Sequence, residues 1–149
     1  MARKEVKTKQ GNQDNSYSLV TKKLLGSLEC EVMECMWESN EATVQHVLQV
    51  ISRRRPLAYT TIMTVMVHLV DKGLLTRNSE GKKYLYKVAQ SREEFVHAAS
   101  QKMVRQTLSD FGDMAIAGFM GEISRVKPEK LHELRDLLRE ALDEKTASE

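Results

Sequence analysis

The feature that most constrains this chain is a change of hydrophobic period at Gly73. Upstream of it, apolar side chains recur at helical spacing in three successive stretches; from Leu75 to Val88 they alternate in twos. Ser27 is placed to cap the first stretch, which carries Leu28, Val32, Met33 and Met36 at helical spacing and closes at Trp37. Thr43 is placed to cap the second, where Val44, Val47, Leu48 and Ile51 fall on one face. The third follows Arg53-Arg54-Arg55-Pro56 and runs from Tyr59 to Lys72, with Ile62, Val65, Met66 and Leu69 inward and Gly73 suited to end it. The alternating segment is broken by Ser79-Glu80-Gly81, which predicts a β-hairpin. Three short helices followed by a two-stranded ribbon is the element order of a winged helix-turn-helix domain.

Beyond the ribbon the helical period returns. Ser91 and Glu94 have capping-box spacing and open a long helix interrupted at Gly112; a second helical stretch covers Met114 to Ile123, and Lys127-Pro128-Glu129 opens a last helix. Leu131, Leu134, Leu138 and Leu142 line one side of that helix, and Phe95, Val104, Leu108, Phe111 and Phe119 add apolar surface from the helices before it. A thin helical appendage has no interior to hide so many large side chains, so a second copy of the chain is expected to cover them. The expected organisation is a disordered basic arm over 1–23, a winged-helix domain over 24–90 and a helical dimerisation region over 91–149. The fold class is mainly α with one small β-hairpin.

With 41% hydrophobic and 30% charged residues the chain reads as globular, and no run has the length of about 20 apolar residues that a membrane helix needs. Arg3, Lys4, Lys7 and Lys9 have no apolar segment behind them, so no secretory signal is expected and a cytoplasmic address follows. Cys30 and Cys35 are spaced to point in different directions from one helix, and His46, His68, His97 and His132 lack metal-ligand spacing. No nucleophile elbow, phosphate-cradling glycine loop or zinc-protease motif is present, so neither an enzyme nor a cofactor is expected.

Net charge is only +2, but its distribution is uneven: residues 57–90 carry a net +3 against −3 for residues 91–149. A polyanion would meet the third helix and the hairpin first. The face of that helix opposite its core stripe holds Thr60, Thr61, Met63 and Thr64, with Val67 and His68 behind them. Hydroxyls there suit base edges, and methyl or thioether groups suit the thymine methyl. The same threonines also read as solvated helix positions. Arg77, Lys82, Lys83 and Tyr84 gather round the hairpin turn, where they would clasp phosphates or simply keep a sheet edge soluble. Arg53, Arg54 and Arg55, with Thr43 and Tyr59 at two helix starts, are the remaining candidates for the DNA backbone, a solvated charge run being the other reading of the arginines. A winged helix that docks on protein without touching DNA stays open as the alternative function, and residues alone do not separate an activator from a repressor.

Several stretches, in order and spacing, resemble the penicillinase-repressor family, also called the BlaI/MecI family, of bacterial winged-helix repressors. They are Leu28-Glu29-Cys30-Glu31-Val32-Met33 with Trp37, the run from Leu57 to Val65, Lys72-Gly73-Leu74-Leu75, Lys83-Tyr84-Leu85-Tyr86 and Ser91-Arg92-Glu93-Glu94-Phe95; Glu133-Leu134-Arg135-Asp136-Leu137-Leu138 is similar as well. The resemblance implies a homodimer on an inverted-repeat DNA operator, with Thr60, Thr61, Met63 and Thr64 facing bases and the hairpin on the backbone. It also implies silencing of β-lactamase-like or envelope and stress genes, and a membrane metalloprotease sensor whose signal ends in cleavage of the dimerisation region. Where well-studied members are cut at an Asn-Phe bond, an alignment anchored on Glu133-Leu134-Arg135-Asp136 places Phe119-Met120. The tail contains no cysteine, which removes the copper-binding motif of copper-responsive relatives.

Overall fold

A computed structural model describes residues 15–148. Residues 15–24 form helix α1, followed by α2 (Ser27–Ser39), strand β1 (Glu41–Ala42), α3 (Val44–Ser52), α4 (Tyr59–Asp71), β2 (Leu75–Glu80), β3 (Lys83–Val88) and α5 (Arg92–Phe111). Then come α6 (Asp113–Glu122), a 3-10 turn (Ile123–Arg125) and α7 (Pro128–Ala147). The chain divides into two compact units, Met1–Ser100 and Gln101–Glu149.

The expected disordered arm over 1–23 needs correction where it is described. Residues 15–24 are helical, and Tyr17, Val20, Thr21 and Leu24, at i, i+3, i+4 and i+7, are partly or fully buried, with Ser18 half-buried beside them. Thr21 is fully buried because its hydroxyl donates to the Tyr17 carbonyl oxygen at 2.7 Å, so its methyl packs without an unpaired polar atom. Residues 1–14, including Arg3, Lys4, Lys7 and Lys9, lie outside the described residues.

Helix α2 is capped one residue earlier than expected. Gly26 is the N-cap, and the Glu29 carboxylate, three residues into the helix, accepts the Gly26 N–H at 3.1 Å. Asn40 closes α2 with φ 64°, a left-handed conformation that asparagine tolerates, and turns the chain into β1. Thr43 caps α3 as expected, accepting from the His46 N–H at 3.3 Å. Gly73 has φ 76°, and the Leu74 N–H reaches back to the Leu69 carbonyl at 3.0 Å while the Gly73 N–H bonds the Val70 carbonyl at 2.9 Å, a Schellman closure of α4.

The core lies where the helices meet the sheet. Val32, Met33 and Met36 of α2, Val47 of α3, and Ile62, Met66 and Leu69 of α4 are wholly enclosed, with Leu74 from the α4–β2 connection and Leu75 and Tyr86 from the sheet. Cys30 and Cys35 are free, buried thiols within this cluster. Burial pushes both thiols up, helped by Glu34 beside Cys30 and Glu38 beside Cys35, which keeps them protonated and unreactive.

The sheet has one strand more than the expected ribbon. β3 pairs antiparallel with β2, Arg77 opposite Tyr86 and Ser79 opposite Tyr84, and on its other edge with β1, Ala42 opposite Tyr86. The hairpin turn falls one residue beyond the expected place: Glu80 pairs with Lys83, and Gly81, at φ 63°, and Lys82 make a two-residue loop that demands positive φ.

In the first unit, α5 begins with the expected reciprocal cap. The Ser91 N–H donates to Glu94 Oε2 at 2.8 Å and the Glu94 N–H to Ser91 Oγ at 3.1 Å. Phe95, expected among the dimerisation residues, is half-buried against the core of its own unit, its ring centroid 6.4 Å from that of Trp37.

The second unit is built differently. Gly112, at φ 53°, separates α5 from α6, and Pro128 occupies the first position of α7 as expected. None of its described residues is buried. Among the described residues no helix is long and apolar enough to cross a membrane.

Candidate nucleic-acid interface

Helices α3 and α4 pack together and are joined by the Arg53–Ala58 connection; β2 packs against α4. The inward face of α4 is spent on Ile62, Met66 and Leu69, with Val65 and Val70 half-buried against the core beside them. Thr60, Thr61, Met63 and Thr64 are all exposed, as is Tyr59, which opens the helix. The Thr64 hydroxyl donates to the Thr60 carbonyl oxygen at 2.9 Å. The first turn of α4 has no acidic residue and Ala58 supplies no side-chain cap, so amide N–H groups at this end meet no carboxylate of their own helix.

The hairpin that follows α4 carries positive charge. Lys82 and Lys83 are exposed at the turn. Arg77 lies over the Tyr84 ring, its guanidinium carbon 4.7 Å from the ring centroid, because residues 77 and 79 of β2 share a face with residues 86 and 84 of β3. Stacking on tyrosine restrains the guanidinium without consuming its five donors, which remain free for an anion.

The arginine run is divided by the structure. Arg53 and Arg54 are exposed, but Arg55 Nη2 is 2.7 Å from Glu31 Oε1 on α2 and forms an ion pair with it. The pair lies at the surface, and it distinguishes Arg55 from Arg53 and Arg54 by giving it a partner within the unit. Thr43 is half-buried and its oxygen serves the α3 cap. Sequence reasoning passes over Gln45 and His46, both exposed on the first turn of α3 next to that cap; a polar pair following a capping threonine is the available signal.

The expected dimerisation residues separate into groups. Val104, Leu108, Phe111, Phe119, Leu138 and Leu142 are exposed, Leu131 and Leu134 are half-buried, and Phe95 belongs to the first unit as described above. Met103, Met114, Ile116, Met120 and Leu137 add to the exposed apolar surface. Among the described residues, no group of three or more His, Cys, Asp or Glu is placed to hold a metal ion.

A helix pair whose second member presents an uncharged face beside a basic antiparallel hairpin defines a winged helix-turn-helix protein. The penicillinase repressor family model matches residues 25–140, and the chain belongs to that family. It is 40% identical over 73 residues to the transcriptional regulator BlaI of Mycobacterium tuberculosis; the match covers 48% of this chain and about half, 53%, of that relative. It is 22% identical over 116 residues to the penicillinase repressor of Bacillus licheniformis, covering 78% of this chain and 90% of that one. Among solved structures, the DNA-binding domain of the repressor BlaI is 24% identical over 47% of this chain and 85% of its own, with a TM-score of 0.43. A superposition that loose leaves the fold to rest on the elements themselves.

Proposed function

We propose that this chain is a sequence-specific DNA-binding repressor that acts as a homodimer on an inverted-repeat operator. The carrying observation is the exposed Thr60, Thr61, Met63 and Thr64 face of α4 together with the basic β2–β3 turn of a hairpin whose first strand packs on α4. In this reading α4 enters the major groove with its N-terminal turns against base edges, and Arg77, Lys82 and Lys83 hold phosphates on one flank. Arg53, Arg54 and Tyr59 serve the backbone from the other end of the helix pair. The apolar faces of α5, α6 and α7 in the second unit pair with those of a second copy, so that two α4 helices meet half-sites about one turn, roughly 34 Å, apart. The membership of the family favours β-lactamase-like or envelope genes as targets.

Gel-shift titration of the chain's own promoter region against a scrambled duplex of equal length, at moderate salt, tests the reading. A specific repressor binds the promoter far more tightly, by about a thousandfold or more. Equal affinity for both duplexes would overturn it.

A further inference from the structure

We propose that α4 reads its half-site through thymine 5-methyl groups, with the Thr64 methyl and the Met63 thioether as contacting groups. This rests on the DNA-reading role proposed above and specifies its chemistry. Bidentate recognition of guanine calls for arginine or lysine, and that of adenine for asparagine or glutamine. The Tyr59–Asp71 helix contains none of the four. What it offers outward near its N-terminus is three threonines and a methionine, all exposed.

The hydroxyl proton of Thr64 is already committed. It is donated to the Thr60 carbonyl oxygen at 2.9 Å, which holds the side chain in one rotamer, leaves the oxygen able only to accept, and leaves the γ-methyl free to pack. Met63, one position earlier, is 39% exposed although it is large and apolar, and its unbranched thioether adapts to an irregular surface. On the major-groove edge of a base pair the single apolar group is the thymine 5-methyl. Packing methyl on methyl needs no hydrogen-bond partner and removes apolar surface from water on both sides, which is what this face is equipped to do.

The test uses the full chain. The highest-affinity duplex is selected from a random pool, and each thymine of its half-site is replaced singly by deoxyuridine, which deletes the 5-methyl and leaves the pairing edge and O4 intact. Fluorescence anisotropy should show one or two positions at which the methyl is worth about fourfold in affinity, the value expected for burying one carbon. Thr64→Ser, which keeps the hydroxyl and deletes the protein methyl, should become insensitive to uracil at one of those positions. Thr64→Val, which keeps the methyl and deletes the hydroxyl, should stay sensitive. If no uracil changes affinity, or if the valine variant loses its sensitivity as the serine variant does, thymine-methyl readout is overturned, while preference for the selected duplex leaves the repressor reading standing. Failure of the pool to yield any preferred duplex overturns both.

Discussion

Trp37 donates its indole N–H to the carbonyl oxygen of Gln90 at 2.9 Å, across 53 residues of sequence. The bond joins the last turn of α2 to the segment between β3 and α5, and the same indole has Arg92 over its face, the guanidinium carbon 5.1 Å from the ring centroid. Arg92 also pairs with Glu34 one turn earlier on α2. With Phe95 packed on the ring, four side chains hold the start of α5 on the winged unit.

Trp37→Phe keeps an aromatic ring but leaves the Gln90 carbonyl without its donor. We expect a loss of about 1–3 kcal/mol of stability, the cost of an unsatisfied, partly buried acceptor plus some lost packing. Urea unfolding followed by circular dichroism should show a lower midpoint at an unchanged m value.

Glu29 makes a second tie, between the N-terminus of α2 and the C-terminus of α4. Its carboxylate oxygens lie 2.8 and 2.9 Å from Lys72 Nζ while it also caps Gly26. Burial alone would raise this carboxyl, but the hydrogen bonds from Lys72 and the Gly26 N–H, with the lysine charge, hold it below its ordinary value of 4.5. A lowered carboxylate stabilises the fold above its unfolded pKa, and that contribution is lost as pH falls through the folded one. Glu29→Gln should therefore cost roughly 0.5–1 kcal/mol at pH 7, a modest figure because Lys72 is half exposed. The gap between variant and wild type should close below pH 4.5, as read from unfolding midpoints across a pH series.

Much of this architecture is legible in the sequence, and the omissions have identifiable causes. The α4 face, the hairpin, the Thr43 cap and the Ser91–Glu94 box each rest on residues close together in the chain, where spacing and side-chain chemistry suffice. β1 is two residues long, too short for any alternation to register. The α1 pattern is hidden because one of its inward positions is a threonine, apolar only once its hydroxyl has bonded to Tyr17. The Arg55–Glu31 pair spans 24 residues and the Arg92–Glu34 pair 58, so the pairing of one candidate DNA contact and the anchoring of α5 become visible only in three dimensions. Phe95 reads as part of the tail for the same reason: nothing local distinguishes a phenylalanine that packs on Trp37 from one awaiting a partner.

The apolar side chains of the second unit yield a prediction about assembly. Leu138, on α7, is 56% exposed, and Leu142, one turn on, is 63% exposed. If a second copy covers them, Leu138→Asp buries an unpaired charge at the interface and should convert dimer to monomer at micromolar concentration, with the winged unit still folded. Sedimentation velocity would show this, and an unaltered dimer would remove α7 from the interface.

The wing should govern salt dependence. Alanine at Arg77, Lys82 and Lys83 together should weaken binding to all duplexes alike, and should flatten the slope of log affinity against log salt by about 0.9 for each phosphate no longer neutralised. Filter binding across a salt series would reveal it.

On the proposed function, the outward face of α4, and not the wing, chooses the DNA sequence. The most direct measurement is the ratio of affinities for the chain's own promoter and a scrambled duplex, compared between wild type and a Thr60→Ala, Met63→Ala, Thr64→Ala variant at fixed salt. We predict that the ratio collapses by about tenfold or more while affinity for the scrambled duplex and its salt slope hold steady. A variant with the wild-type ratio would contradict the account.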